Sequence, residues 1–139
     1  MRATIAAVTY YNQRAIASEL TKYAEPTLGA RLAADPYAVL VARDAAGPTG
    51  FCVSLYDDAT IWLDWFGTAA RVRRQGVGGA LIAALKASLP ARGAHKIWCD
   101  SRSENVESIA TLERASFRRI ATLTNHWHNQ DYLLWEWFP

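Results

Sequence analysis

Residues 73–79, with the sequence RRQGVGG, constrain the structure and function of this chain more than any other segment. Three glycines in four positions disfavour a regular helix through them, yet helical apolar spacing begins among them at Val77 and continues with Leu81. A helix that begins here leaves about four backbone N–H groups unpaired and carries about +0.5 charge at its start. Glycines let a bulky anion reach that backbone, and Arg73 and Arg74 add positive charge. The segment therefore predicts a diphosphate-binding site at a helix N-terminus.

This glycine segment (residues 73–79) has alternative interpretations. The pattern GxxxxGK[ST] of nucleotide triphosphatases is absent. A dinucleotide-binding domain is a closer alternative, because Gly76 and Gly78 give the GxG pattern and Asp100 follows at a distance suited to a ribose-binding acid. Against it, the sixth position is Leu81 rather than glycine or alanine, and Arg-Arg-Gln precedes the glycines instead of a strand. A tight structural turn flanked by solvated arginines is the remaining alternative.

Apolar alternation, turn residues and helical spacing predict one α/β domain over residues 1–139. Strands are predicted at residues 4–9, 38–43, 51–56, 60–68, 95–99, 117–123 and 132–137. Helices are predicted from Asn12 to Pro26, at residues 27–34, from Val77 to Pro90 and at residues 105–115. In the last helix, Val106, Ile109 and Leu112 are expected to face inward. The helix between the strands at 60–68 and 95–99 forms a crossover, so those strands should be parallel neighbours in a mixed sheet.

Composition argues against several classes of function. A net charge of +2 is too small to indicate nucleic-acid binding, and no apolar run reaches the roughly 18 residues that cross a bilayer. The chain begins without an apolar signal core, and its histidines and acids lack zinc-like spacing. Cys52 and Cys99 are predicted to be buried, reduced strand thiols. We therefore expect a cytoplasmic protein that binds neither metal, membrane nor nucleic acid.

The glycine segment fits the signature Arg/Gln-x-x-Gly-x-Gly/Ala of the GNAT (Gcn-related) N-acetyltransferases, and the chain resembles that family beyond it. Asn105 and the later run Leu-Glu-Arg-Ala-Ser-Phe, residues 112–117, are similar to the family's Asn…Leu-Tyr-Glu-Lys-Leu-Gly-Phe segment. Residues 125–135 resemble the last loop and strand of ribosomal-protein alanine N-acetyltransferases. The resemblance implies a mixed, mostly antiparallel sheet of about six to seven strands, with a splayed central parallel pair and about four flanking helices.

The resemblance also implies acetyl-CoA as co-substrate. Backbone groups of the glycine segment would hold the CoA pyrophosphate, and residues of the preceding strand would pair with the pantetheine arm and hold the thioester carbonyl. Asn105 would contact the pantetheine arm, although it is equally suited to cap a helix. The predicted cofactor-binding residues are Phe66, Gly67, Thr68, Arg73, Arg74, Gln75, Gly76, Val77, Gly78, Gly79 and Asn105.

The expected reaction is direct attack of a primary amine on the thioester, which needs a base, an oxyanion donor and an acid for the leaving thiolate. Asp64 is the predicted base, because it lies among aromatic residues on the strand where the family often carries one. Pairing of Asp64 with an arginine is the alternative. Leu112 occupies the usual place of the family's tyrosine, so Tyr132 is the predicted acid, with His126 and His128 as alternatives.

Aromatic residues are expected to wall the acceptor site, since their faces suit a cationic amine. Tyr23, Trp62 and Trp127 are the predicted acceptor-binding residues. The acceptor would be a small molecule or a peptide, and the resemblance leaves a homodimer open. Because Leu112 stands in the tyrosine's place, a non-catalytic module that binds acyl-CoA is the main alternative to an enzyme, followed by a dinucleotide-binding domain.

Overall fold

The computed structural model describes residues 1–6, 8 and 11–139 and places six α-helices and six β-strands within them. The helices are α1 (Arg2–Ala6), α2 (Gln13–Lys22), α3 (Glu25–Ala34), α4 (Val77–Ala87), α5 (Leu89–Arg92) and α6 (Val106–Arg114). The strands are β1 (Val39–Asp44), β2 (Gly47–Asp57), β3 (Thr60–Thr68), β4 (Lys96–Arg102), β5 (Arg118–Leu123) and β6 (Tyr132–Trp137). Short 3-10 turns lie at Ala70–Val72 and Trp127–Asn129.

The strands form one sheet in the order β1-β2-β3-β4-β6-β5. Its neighbouring pairs are antiparallel except β3–β4, which is parallel as the crossover predicts. The parallel pairing joins residues 60–62 to residues 96–98 and then stops, although β3 continues to Thr68 and β4 to Arg102. The two central strands therefore separate in their second halves, which confirms the predicted splayed pair.

Hydrophobic clusters cover both faces of the sheet, because alternate residues of a strand point to opposite sides. On β2, Cys52 belongs to a cluster that includes residues of α4, α5 and α6. Its neighbours Phe51 and Val53 belong to a second cluster with Ile5 of α1 and with Tyr23. Helices α4–α6 thus pack on one face of the sheet, and the N-terminal helices pack on the other.

Capping residues explain where several helices begin and end. Asn12 Oδ1 accepts a hydrogen bond from the Ala15 N–H at 2.9 Å and begins α2 as predicted. The expectation that Pro26 ends this helix is wrong, because Pro26 lies in the first turn of α3, where a missing N–H is tolerated. Pro90 likewise lies in the first turn of α5, and Gly93, at φ 62°, is the residue that ends the helical stretch.

The strand predicted at residues 4–9 is wrong where the structure describes that segment. Residues 4–6 belong to α1, while Ala7 and Thr9 lie outside the described residues. β-Branched side chains favour a strand locally, but the full burial of Ile5 in the second cluster outweighs that weak preference.

Burial agrees with the predictions at most of the positions singled out. Cys52 and Cys99 are free and buried, and burial raises the pKa of the Cys52 thiol to about 12. Leu112 is fully buried and Ile109 is packed against the same cluster. The inward direction expected for Val106 is wrong, because this residue at the start of α6 is 70% exposed.

Candidate functional site

A cleft of about 450 Å³ opens where β3 and β4 separate. One wall is the second half of β3, residues 63–68, and the opposite wall is the end of β4, residues 99–102. The cleft continues past the start of α4 and along α6 as far as Arg114, and Tyr132 of β6 contributes to its lining. The interrupted parallel pairing therefore places the glycine segment and polar side chains of the sheet along one continuous depression.

The start of α4 presents exposed backbone to this cleft. Gly76 is the N-cap residue at φ 84°, a left-handed conformation that favours glycine, and no side chain caps the helix. A Cβ atom added at Gly76 or Gly79 would meet nothing within 4 Å, and one at Gly78 would meet only Thr111 Cγ2 at 3.7 Å and Thr68 Cγ2 at 3.9 Å. The start of the helix is thus open at its glycines, and its role as an anion site stays a prediction.

Gly50 of β2 allows the start of α4 to lie close to the sheet. A Cβ atom on Gly50 would lie 2.9 Å from the Gly67 carbonyl oxygen, 3.0 Å from Leu81 Cδ1 and 3.1 Å from Val77 Cγ1. These contacts are too short for an additional methyl group. Close packing at Gly50, which lies outside the glycine segment, therefore fixes the position of the start of α4 relative to β3.

The structure brings most of the predicted cofactor-binding residues together. Those lining the cleft are Phe66, Gly67, Thr68, Arg73, Arg74, Gly76, Val77, Gly78, Gly79 and Asn105. Gln75 does not line it, and its Nε2 donates to the Arg71 carbonyl oxygen at 3.2 Å. The Arg71 guanidinium is held by Asp44 at 2.5 Å, so its charge is partly compensated outside the cleft.

Asn105 caps α6 through its amide oxygen, and its amide nitrogen bonds the Ser108 side chain. Its Oδ1 accepts from the Ser108 N–H at 3.1 Å, and its Nδ2 donates to Ser108 Oγ at 2.8 Å. The cap alternative of the sequence analysis is therefore present in the structure. Asn105 also lines the cleft, and its contact with a pantetheine arm stays a prediction.

Asp64 lies at a β-bulge in β3. Val53 pairs with Trp65 and Ser54 pairs with Leu63, which leaves Asp64 as the extra residue. A bulge redirects a side chain relative to regular strand alternation.

The redirected carboxylate of Asp64 is 1% exposed and contacts two cations. Lys22 Nζ of α2 lies 2.5 Å from Oδ1, and Arg31 Nη1 of α3 lies 2.8 Å from Oδ2. Asp64 also lines the cleft. Its carboxylate therefore joins the N-terminal helices to the central strand, which is the paired arrangement considered as the alternative to a base.

Asp100 of β4 is a second carboxylate in the cleft. Its Oδ2 accepts a hydrogen bond from Trp127 Nε1 at 3.1 Å. Burial raises the pKa of the Asp100 carboxyl above its ordinary value of 3.8, and the Trp127 hydrogen bond partly opposes that rise. The sequence indicates Asp100 only as a possible ribose-binding acid, because no local signal shows that the end of β4 faces the separation of the strands.

Tyr132 lies beside a buried arginine. Its Oη accepts from Arg102 Nε at 3.2 Å, and the guanidinium carbon lies 5.6 Å from the Tyr132 ring centre and 4.6 Å from the ring centre of Tyr11. Burial raises the pKa of the Tyr132 hydroxyl, and the charge of Arg102 partly opposes this. A neutral phenol hydroxyl is therefore held at the edge of the cleft. Leu112, fully buried in the core, offers no such group.

The predicted acceptor-binding residues are not brought together. Tyr23 is buried and packs edge-on against Trp65, with ring centres 6.5 Å apart. Trp62 packs edge-on against Trp98 with ring centres 4.9 Å apart, and neither Tyr23 nor Trp62 lines the cleft. Trp127 is 56% exposed and reaches the cleft through its hydrogen bond to Asp100. The assignment of these residues to an acceptor stays a prediction.

Residues 4–117 match the sequence model of the Acetyltransferase (GNAT) family. The chain belongs to this family. The match includes the glycine segment, both walls of the cleft and α6, which is most of the site described above. It ends before β5 and β6, and therefore before Tyr132.

Solved structures share the GNAT fold of this chain. The ribosomal-protein-S18-alanine N-acetyltransferase from Escherichia coli has a TM-score of 0.67 at 20% identity, over 82% of this chain and 76% of that one. Naa20 from Chaetomium thermophilum, in complex with a bisubstrate analogue, has a TM-score of 0.75 at 16% identity, over 87% and 80%. A GNAT acetyltransferase from Elizabethkingia anophelis, with acetyl-CoA bound, has a TM-score of 0.68 at 14% identity, over 84% of both chains. A search of curated proteins finds no match.

Within residues 1–6, 8 and 11–139, no group of at least three His, Cys, Asp or Glu side chains could hold a metal ion. The same part of the GNAT chain contains no helix that is both long and apolar enough to cross a membrane.

Proposed function

We propose that this GNAT protein is an acetyl-CoA-dependent N-acetyltransferase that moves an acetyl group to a primary amine. The observation that carries the proposal is the continuity of the cleft: it joins an uncapped helix start with open space at its glycines to the half-buried Asp100 carboxylate and the Tyr132 hydroxyl. The helix start suits the binding of a diphosphate, and the carboxylate and hydroxyl suit proton transfer.

The glycine segment fits the pyrophosphate of CoA. The N–H groups at the start of α4 would bind its oxygens, and Arg73 and Arg74, which line the same part of the cleft, would add positive charge. The exposed backbone of β3 near Phe66 and Thr68 would pair with the pantetheine amides. When bound, acetyl-CoA supplies an activated acetyl group as a thioester.

The base must remove a proton from the acceptor ammonium before or during attack. The aromatic neighbours of Asp64 predict this role for it, but both of its oxygens are in ion pairs with Lys22 and Arg31. Asp100 has a raised pKa and a neutral indole as its hydrogen-bond donor, and it lines the cleft at the separation of the strands. We therefore propose Asp100 as the base and Asp64 as the residue that anchors α2 and α3.

Tyr132 is proposed as the acid. Its hydroxyl keeps its proton at neutral pH because the ordinary pKa of a tyrosine is 10.0 and burial raises it further, so it can donate a proton or a hydrogen bond to a leaving thiolate. It lies in the same cleft as Asp100, and the Arg102 Nε donor fixes the position of its oxygen. This arrangement supplies the proton donor that Leu112 cannot.

The acceptor is proposed to be a primary amine of a peptide or of a small molecule. Naa20 was solved with a bisubstrate analogue, and the Escherichia coli relative is named for alanine of a ribosomal protein. Those descriptions support including alanine-starting peptides among the acceptors to be tested first. A chain that binds acyl-CoA without turnover is the alternative, and it would retain the glycine segment while lacking base function at Asp100.

Release of free thiol from acetyl-CoA in the presence of an amine panel tests this function. The panel should contain peptides with different N-terminal residues, polyamines and aminoglycosides. We expect thiol release with at least one class, and a loss of about 10²–10⁴-fold in kcat/KM for Asp100→Asn. Tight binding of acetyl-CoA without thiol release for any amine would support the binding module instead. A thermal shift with NADP but none with acetyl-CoA would support a dinucleotide-binding domain.

A further inference from the structure

The loop between β5 and β6, residues 124–131, is held in a defined shape beside the end of β4. The Asn125 N–H donates to Asp131 Oδ1 at 2.8 Å, and the His126 N–H donates to the Gln130 carbonyl oxygen at 2.8 Å. The Ser103 N–H, just beyond β4, donates to the Asp131 carbonyl oxygen at 3.1 Å. These bonds close the loop on itself and attach it to the strand that carries Asp100.

Trp127 is the part of this loop that reaches the cleft. It is 56% exposed, so burial of its ring contributes little to folding, yet its Nε1 donates to Asp100 Oδ2 at 3.1 Å across 27 residues. The His126 ring packs edge-on between its neighbours, with its centre 4.7 Å from that of Trp127 and 5.8 Å from that of Tyr132. The indole is thus positioned from both sides, by the loop backbone and by a ring contact.

Several other charged or titratable groups surround the Asp100 carboxylate. Lys22 and Glu19 belong to α2, Asp64 belongs to β3, and His126 belongs to the loop. Arg102 and Cys99 lie on β4 itself, and Tyr132 lies on the neighbouring β6.

Trp127 differs from these charged groups because it is a neutral hydrogen-bond donor to Asp100. Lys22 is directed to Asp64, and Arg102 Nε is directed to Tyr132 Oη. The indole N–H is a neutral donor whose direction is fixed, and it can favour the ionised carboxylate without neutralising it.

We propose that Trp127 is a positioning residue, whose indole N–H holds the Asp100 carboxylate in place as the proton acceptor at the cleft. This inference rests on the proposed function for its kinetic consequence. The role is distinct from the ring contact with an acceptor that the sequence analysis assigned to Trp127. It requires the N–H group, whereas contact with a cationic amine requires only the aromatic face.

Replacement of Trp127 with phenylalanine separates the two roles, because it removes the N–H and keeps a ring. Trp98→Phe is the matched control: Trp98 Nε1 is buried without a hydrogen-bond partner among the described residues, so this change removes an indole N–H that donates to nothing. The first readout is carbon-13 NMR titration of the aspartate carboxyl groups, with Asp100 assigned from the Asp100→Asn variant. This readout does not require turnover.

We expect the pKa of Asp100 to be higher in Trp127→Phe than in the native protein and unchanged in Trp98→Phe. The second readout is the pH profile of kcat/KM, whose acid limb should move to higher pH in Trp127→Phe. At a pH on that limb the loss should be about three- to tenfold and should lie mainly in kcat. Because Trp127 is largely exposed, Trp127→Phe should melt within a few degrees of the native protein.

The possible results separate this inference from the proposed function. An Asp100 pKa that is equal in the native protein and in Trp127→Phe would overturn the positioning role. So would an unmoved acid limb accompanied by a raised KM for the amine, which would assign Trp127 to acceptor binding. If no amine is acetylated, the proposed function fails, but the NMR titration still decides whether the indole N–H controls the state of Asp100.

Discussion

The double ion pair of Asp64 makes a quantitative prediction about stability. Arg31→Met removes the guanidinium that lies 2.8 Å from Asp64 Oδ2 and keeps an apolar stem of similar length. The Arg31 side chain is 14% exposed and the Asp64 side chain is 1% exposed, so the change leaves a carboxylate with little access to water. Removing one partner of a buried pair costs about 3–5 kcal/mol.

Two features reduce that cost for Arg31→Met. Lys22 Nζ remains 2.5 Å from the other carboxylate oxygen, and the space left by the guanidinium is close enough to the surface to admit water. We therefore expect a loss of about 2–3 kcal/mol in the free energy of unfolding, or roughly 6–12 °C in Tm for a chain of this length.

Lys22→Met is the matched comparison, because it removes the other cation from the same carboxylate. The Lys22 side chain is 44% exposed, and exposed ion pairs contribute about 0–1 kcal/mol. Urea unfolding of both variants, followed by tryptophan fluorescence, measures the difference.

A double variant, Arg31→Met with Asp64→Asn, completes a thermodynamic cycle. The combined loss should be smaller than the sum of the two single losses by about 0.5–3 kcal/mol, because no uncompensated charge remains buried. If Lys22→Met proved as destabilising as Arg31→Met, or if the two losses in the cycle were additive, the anchoring role of Asp64 would be refuted.

Three further outcomes test the cleft. Acetyl-CoA at 100 times its Kd should raise the Tm of the native protein by roughly 8–10 °C. Gly78→Glu should abolish this shift, because the side chain would bring bulk and negative charge into the cleft. The control Gly29→Glu, at an open position of α3, should keep the shift. Asp100→Asn should raise Tm at pH 7 while lowering kcat/KM. Its raised folded pKa means that ionisation above the ordinary 3.8 destabilises the folded state, and an unchanged or lower Tm would contradict this sign. Tyr132→Phe should lower kcat about 10²-fold or more with acetyl-CoA binding unchanged, as measured by single-turnover kinetics and calorimetry.

The parts of the site that are visible in the sequence are those specified by neighbouring residues. The glycine segment contains its turn and the start of its helix within residues 73–79, and Asn105 lies three residues from the N–H that it caps. Such features depend on local backbone geometry, so their spacing in the sequence is enough to place them.

The parts that the sequence does not reveal depend on distant segments. Asp64 meets Arg31 across 33 residues and Lys22 across 42, and the bulge that directs it is a property of the pairing with β2. Asp100 differs from an ordinary strand carboxylate in two respects: β3 and β4 separate beside it, and the Trp127 indole, from the hairpin of β5 and β6, donates to it. The periodic spacing of apolar residues cannot predict contacts between distant segments, because it describes one segment at a time.

One end of the cleft is formed mainly by backbone and the other by side chains, so substitutions at the two ends should have different effects. The end near α4 is specified mainly by glycines and by the direction of a helix, and the backbone of Gly76, at φ 84°, favours glycine. The end near Asp100 is assembled from separate segments, with side chains from α2, β3, β4 and the loop before β6. Under the proposed function, substitutions at that end would alter which amine is accepted, one residue at a time, while the same main chain would still bind the donor.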